Sequence, residues 1–353
     1  MATRRTFLGG LIAAAGAPRL GWAAVGSPAF LAAAREPDGS YALHGLDCAG
    51  IETFSVPLPA RGHAACGHSS RAEAIGFARR PGRFALVINC ASGAVMHELA
   101  PPEDRHFNGH GAYSADGAQL YTSEQEIDGS AGHIGVWDTE TYTRIDSFAT
   151  NGLGPHEIRL MPGGKHLVVA NGGIQTDARN KLNIDSMEPS LVYLSLDGRV
   201  QDRVALDADL HQNSIRHLAI RQDGLVAFAM QWEGAPGAAT PLIGLHRMGD
   251  APILGSAPLN EQLLMEGYAG SIAFAGNGEE VAITSPKGGR LHRFTPDGSF
   301  IGALKRTDVC GLASLGDGYL ASDGLGGLIA LNADGPHALN RLSSAWDNHL
   351  IAI

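Results

Sequence analysis

One frame recurs along the chain and limits what it can fold into. The segments His110-Gly-Ala-Tyr-Ser-Ala-Asp-Gly117, His156-Glu-Ile-Arg-Leu-Met-Pro-Gly163 and His217-Leu-Ala-Ile-Arg-Gln-Asp-Gly224 superpose without gaps. Ser271-Ile-Ala-Phe-Ala-Gly-Asn-Gly278 keeps the frame with Ser in the lead place, and Cys310-Gly-Leu-Ala-Ser-Leu-Gly-Asp-Gly318 keeps it with one extra residue. His63-Ala-Ala-Cys66 opens a similar stretch upstream, and His349-Leu-Ile-Ala-Ile353 ends the chain on it. The leads at 63, 110, 156, 217, 271, 310 and 349 are spaced by 47, 46, 61, 54, 39 and 39 residues. A period of about 40 to 50 residues is that of propeller blades with four strands each.

The local pattern agrees. Short apolar runs of β type stand at 84–89, 166–171, 190–196, 225–230, 280–284 and 318–322, and Asp-Gly pairs at 116, 197, 223, 297 and 317 read as turns. Almost nothing after the first 23 residues has helical periodicity. Residues 349–353 supply only one strand, whereas 29–35, 41–47 and 51–58 supply three ahead of the first lead. Joining them completes a seventh blade and pairs the edges that closure must satisfy. The expectation is an all-β, seven-bladed β-propeller over 24–353, closed by one C-terminal strand beside three N-terminal ones. The long third interval holds a polar insertion over 174–188.

The start of the chain reads as an address label. Thr3-Arg4-Arg5-Thr6-Phe7-Leu8 precedes a small apolar stretch to Ala17 and a small-x-small site at Gly21-Trp22-Ala23. This predicts a twin-arginine signal over 1–23, although Gly9 sits where a Lys is common, and hence a periplasmic protein. The apolar stretch is shorter than the roughly 20 residues a membrane span needs, and no later run is long enough.

Composition narrows the partners. A net charge of −10 argues against nucleic acid, which asks for a basic face, and suits cations better. The four cysteines, Cys48, Cys66, Cys90 and Cys310, form no CxxC pair, and their pairing cannot be read from sequence. Small buried thiols are the reading preferred for the first three.

The repeat also places chemistry. Lead residues of innermost strands converge at one mouth of the channel, which would ring it with His63, His110, His156, His217 and His349, joined by Ser271 and Cys310. Imidazole is the commonest ligand for copper, iron and zinc, so His63, His110, His156, His217, His349 and Cys310 are the candidate metal ligands. Loops two strands on would add Arg79, Glu124, Asn171, Gln231 and Asp323 as cofactor-binding groups. Glu157 follows its histidine directly and is expected to point the other way. The other histidines share no register. No GxSxG, HExxH, P-loop or Rossmann glycine pattern competes.

Several motifs together carry a family resemblance: Phe77-Ala-Arg-Arg-Pro-Gly82, Phe107-Asn-Gly-His-Gly111, Gly154-Pro-His-Glu157, Val169-Ala-Asn-Gly-Gly-Ile174, Lys181-Leu-Asn183, Ser214-Ile-Arg-His-Leu-Ala219, Thr284-Ser-Pro-Lys-Gly-Gly289, Cys310-Gly-Leu-Ala313 and Trp346-Asp-Asn-His349. The chain resembles the twin-arginine-exported bacterial proteins grouped as domain of unknown function 1513, over essentially its whole mature length. The resemblance implies a setting beside imelysin-like periplasmic proteins and a di-haem oxidoreductase-like protein, and with it iron or haem handling. It carries Glu124 over within Ser123-Glu-Gln-Glu126.

Three functions fit these expectations. One is a metal- or haem-binding protein of iron or copper acquisition. Another is an enzyme at the same mouth, a lactonase-like hydrolase or metal-assisted oxidoreductase with a histidine base beside Glu124. The third is an interaction scaffold.

Overall fold

The computed structural model describes residues 20–178 and 180–353. The expected signal segment therefore lies outside the described residues as far as residue 19. A single 3-10 turn, Trp22–Val25, follows it, with the Trp22 indole donating to the His68 carbonyl at 2.9 Å.

Seven four-stranded antiparallel sheets are found among the described residues. Their innermost strands are Gly62–Gly67, Arg105–Tyr113, Pro155–Leu160, Asn213–Ile220, Ser271–Phe274, Val309–Leu315 and Ala345–Ala352, which define blades 1 to 7. Each innermost strand touches those of the blades on either side, so the strands form a closed ring around an axis. Blade 7 is assembled from both chain ends. Ala345–Ala352 pairs with Phe30–Arg35, which is followed outward by Tyr41–Leu46 and Glu52–Leu58.

The apolar runs read as they do because both faces of every sheet are covered. Seven hydrophobic clusters correspond to seven blade interfaces. On the strand Val226–Trp232, for example, Val226, Phe228 and Met230 pack toward blade 3, while Ala227 and Ala229 pack toward blade 5. Phe30, Leu46, Trp346 and Leu350 pack with Leu320 and Leu328 of blade 6, and Leu31, Leu43 and Ile351 pack with Leu86 and Ile88 of blade 1. One core per interface closes the circle without a single central hydrophobic core.

Two local expectations change in detail. The glycines of the Asp-Gly turns at 117, 198, 224 and 298 take the left-handed conformation, but at 316–318 it is Gly316 that does so, and Gly318 starts a strand. The insertion at 174–188 includes a two-stranded ribbon, Thr176–Asp177 with Asn180–Lys181, and a 3-10 turn. Helix is scarce as expected; a short segment, Leu259–Leu264, sets Glu261 against Arg290 and His292 on the third strand of blade 5.

Candidate metal centre

The innermost strands share a feature that alternation of residue types does not reveal. In six of the seven blades their pairing slips at or beside the lead residue: between Gly62 and Ala65, Phe107 and Gly111, Pro155 and Ile158, Ile215 and His217, Val309 and Leu312, and Trp346 and Leu350. Blade 5 is regular, with Ser271 opposite Thr284. A β-bulge adds a residue to one strand and re-aims its side chains. Here it turns five imidazoles toward the axis.

The rings meet there. His63 lies 4.9 Å from His110, 5.5 Å from His156 and 4.5 Å from His349, measured between ring centroids. His110 lies 4.8 Å from both His156 and His349 and 5.8 Å from His217, and His217 lies 4.8 Å from His156 and 4.7 Å from His349. All five are buried, none more than 9% exposed. The expectation of a ring around the channel mouth is corrected by this. The imidazoles plug the neck of the channel and pack on one another. Gly109 shows how tight the packing is: at φ +89° it holds the bulge, and a Cβ there would come within 2.6 Å of the His63 ring.

The donor atoms are close and poorly satisfied. His63, His110 and His349 offer nitrogens within 4.8 Å of one another, and so do His110, His156 and His217. Nε2 of His349 is 3.3 Å from Nε2 of His63. Nδ1 of His63, His156 and His217 and Nε2 of His110 are buried without a hydrogen-bond partner. Nδ1 of His63 and His217 still face carboxylates, at 3.9 and 3.4 Å, which leaves Nε2 of His110 and Nδ1 of His156 as the orphans; buried polar atoms are nearly always paired, so these two call for a ligand. Two nitrogens bound at 2.0–2.1 Å to one tetrahedral ion stand about 3.3 Å apart, which is the spacing His63 and His349 show.

Charge is set from both sides. Burial lowers the pKa of His63 against the pull of Asp347, and it pushes His110, His156 and His349 well below 6.5, helped by their neighbouring imidazoles. These four rings are therefore neutral at neutral pH, the form that ligates. Glu157 does not point away. Across the bulge its Oε2 comes within 3.4 Å of His217 Nδ1 and accepts from the Leu218 amide at 3.1 Å, while Oε1 accepts from Arg159 Nε at 2.6 Å. Burial opposes its ionisation, but Arg159 and His217 bring its pKa down to about 2. Asp347, which sequence reasoning missed, has Oδ1 3.9 Å from His63 Nδ1 and accepts from Arg61 Nε at 2.6 Å. Despite burial, His63 and Arg61 hold it well below the usual carboxylate range. Carboxylates behind imidazoles are the usual partners of ligating histidines.

The buried neutral rings predict a pH effect on the metal-free protein. Unfolded imidazoles take up protons near pH 6.5, while the folded cluster resists them. As pH falls through 6.5 the unfolded chain binds more protons, so stability is lost downward from there until the lowered folded values are passed. The thermal midpoint is expected to fall between about pH 7.5 and pH 5 and to fall less in His110→Ala/His156→Ala. A drop of equal size in both proteins would show that the cluster is not its source.

With this geometry in view, comparison with other proteins adds a family. Residues 56–353 match the family model described as Protein of unknown function (DUF1513). The chain belongs to this family. No curated protein matches it at the sequence level. Among solved structures it is similar to hydrazine synthase of Kuenenia stuttgartiensis, with a TM-score of 0.60 and 15% identity over 86% of this chain and 90% of that one. At that identity the likeness shows the propeller fold alone.

The motifs quoted for DUF1513 acquire physical reasons. In Phe107-Asn-Gly-His-Gly111, Gly109 admits the His63 ring, Gly111 leaves room for Phe77, and Asn108 donates to the Pro155 carbonyl at 2.6 Å, tying blade 2 to blade 3. Ser214 similarly donates to the Gly172 carbonyl of blade 3 at 2.8 Å. Trp346-Asp-Asn-His349 supplies a core residue, a carboxylate behind His63 and a ring of the cluster.

The other candidate residues are placed differently from the five histidines. Cys310 sits at its bulge, but the thiol contacts the Ser322 hydroxyl at 3.5 Å and the Trp346 carbonyl at 3.7 Å inside the core between blades 6 and 7. Burial raises its pKa to about 12, so it stays a thiol. It is therefore not brought into the imidazole cluster. Glu124 is fully buried and bound by both Arg144 nitrogens at 2.7 and 2.8 Å, with Arg105 at 3.6 Å. Asp323 accepts from Arg306 Nε at 2.8 Å and from the Leu325 and Gly327 amides, shaping its own turn. Asn171 bonds the Thr150 carbonyl and Ser190, and Gln231 donates to the Ala269 carbonyl. These four hold loops and neighbouring strands. Arg79 donates its amide to the Arg61 carbonyl at 3.1 Å, and its positive charge works against protonation of His63. All four cysteines are free, with Cys48 exposed and the others buried.

Proposed function

We propose that this chain is a periplasmic protein, exported by the twin-arginine route, that binds one transition-metal ion, iron or copper, on its axial histidines. One observation carries the reading: five buried imidazoles packed into one cluster, with Nε2 of His110 and Nδ1 of His156 buried without a partner and Nε2 of His63 and His349 3.3 Å apart. His110 belongs to both triads and is the natural centre of the ligand set. Glu157 and Asp347 orient His217 and His63 and balance the cation's charge, the role such carboxylates play behind metal-bound imidazole. Rings 4.5–5.8 Å apart leave no slot for a haem macrocycle between them, so the reading is an ion, not haem, at this position. Nothing favours a hydrolase built on Glu124, since that carboxylate is consumed by Arg144. The family resemblance points to imelysin-like and di-haem periplasmic proteins as the partners between which the ion moves.

Elemental analysis of protein purified from the compartment into which it is exported tests this. About one iron or copper per chain is expected, retained through desalting, as befits a closed imidazole site. Protein that carries no transition metal and takes up none from solution would leave the cluster as polar filling of the neck.

A further inference from the structure

Beyond the imidazoles, in the direction the innermost strands run, the channel opens again. Two cavities of about 290 and 280 Å3 occupy this section and share Arg159, Leu160 and Ala352 as walls. His110 and Glu157 line the second, so it reaches the cluster. The sequence frame explains the open space. Ala65, Ala112, Ala219, Ala273 and Ala313 stand two or three residues past their leads and line this section. Larger residues at that level would fill it, as histidines fill the level above. Blade 3 is the exception. It places Arg159 there, the only cationic side chain lining either cavity among the described residues. Its Nε is engaged with Glu157, and the side chain is 37% exposed.

We infer that this half of the channel binds a small organic monoanion, a carboxylate with an apolar body, whose head pairs with Arg159 and whose body lies against the alanines. The planar guanidinium matches a carboxylate, and because the Glu157 carboxylate shares the wall with Arg159, the site suits a single negative charge better than a phosphate dianion. A volume near 300 Å3 holds a ligand of a few to about ten heavy atoms, at the lower end of small-molecule sites. Bound there, the carboxylate sits next to His110 and so beside any ion the cluster holds. The inference stands on the cavity and Arg159, independently of the metal reading.

Calorimetric titration of the metal-free protein with benzoate, and separately with benzyl alcohol and acetate, tests it. Benzoate is expected to bind, with acetate and benzyl alcohol each weaker by about tenfold, because each lacks one half of the match. Arg159→Gln should weaken benzoate by at least about tenfold, the worth of a charge-assisted pair. Ala219→Leu, which keeps Arg159 and its partner, should also abolish binding by occupying the space. Equal binding of benzoate and benzyl alcohol, or benzoate binding unchanged in both variants, would overturn the proposal. Benzoate binding that survives in His110→Ala while metal binding is lost would separate the two sites.

Discussion

Deletion of residues 346–353 is expected to leave the protein insoluble or rapidly digested by protease at a concentration where the full chain resists. The deletion strips the inner partner from Phe30–Arg35 and exposes that strand's edge. It also withdraws Trp346 and Leu350 from the core shared with blade 6, and Ile351 from the core shared with blade 1. Burial of each such side chain contributes roughly 1.5–3 kcal/mol, so together they approach the 5–15 kcal/mol that stabilises a typical domain. Two of seven interfaces fail at once, and the circle cannot close. A soluble, protease-resistant truncated protein would contradict the closure described here.

The second large effect is on metal binding. His110→Ala/His156→Ala is expected to lose affinity for iron or copper by on the order of a thousandfold or more, about 4 kcal/mol. Both triads contain His110, and the second contains His156 as well, so no intact set of three remains. His110→Ala alone should come close to the double variant, whereas His349→Ala should leave the second triad working. The fold should persist. The five imidazoles pack on one another, and removing rings with unpartnered buried nitrogens leaves fewer unsatisfied groups behind. Circular dichroism and the thermal midpoint at neutral pH check that part. A double variant that binds as tightly as the wild type would dismiss the histidines as ligands.

The blade count, the split seventh blade and the convergence of the five histidines are legible in the sequence because they depend on spacing. Each blade repeats one frame, and the frame fixes which residue begins the innermost strand. What the frame does not carry is the backbone slip at those leads. Reading Glu157 by strict alternation sends it away from the axis, yet the bulge sets it behind His217. Asp347 is missed for a different reason: it lies ahead of the lead position of its blade, which the repeated frame does not cover. Cys310 and the polar residues at second-strand ends share the register without sharing the site. The thiol turns into the core between blades 6 and 7, and Glu124 and Asp323 are taken up by nearby arginines. Burial separates these cases, and burial follows from packing that one sequence does not display. The asparagine and glycine neighbours of His110 are the signal that bears on it, since a left-handed glycine inside a strand marks a bulge.

X-ray absorption at the metal edge, on protein carrying the ion it acquires in its own compartment, shows directly whether the axial histidines are the ligands. A shell of nitrogen ligands at about 2.0–2.1 Å with the outer-shell pattern of several imidazoles is expected, and its loss in His110→Ala/His156→Ala. An ion surrounded only by oxygen or sulfur, or an imidazole shell that survives the double substitution, would contradict it.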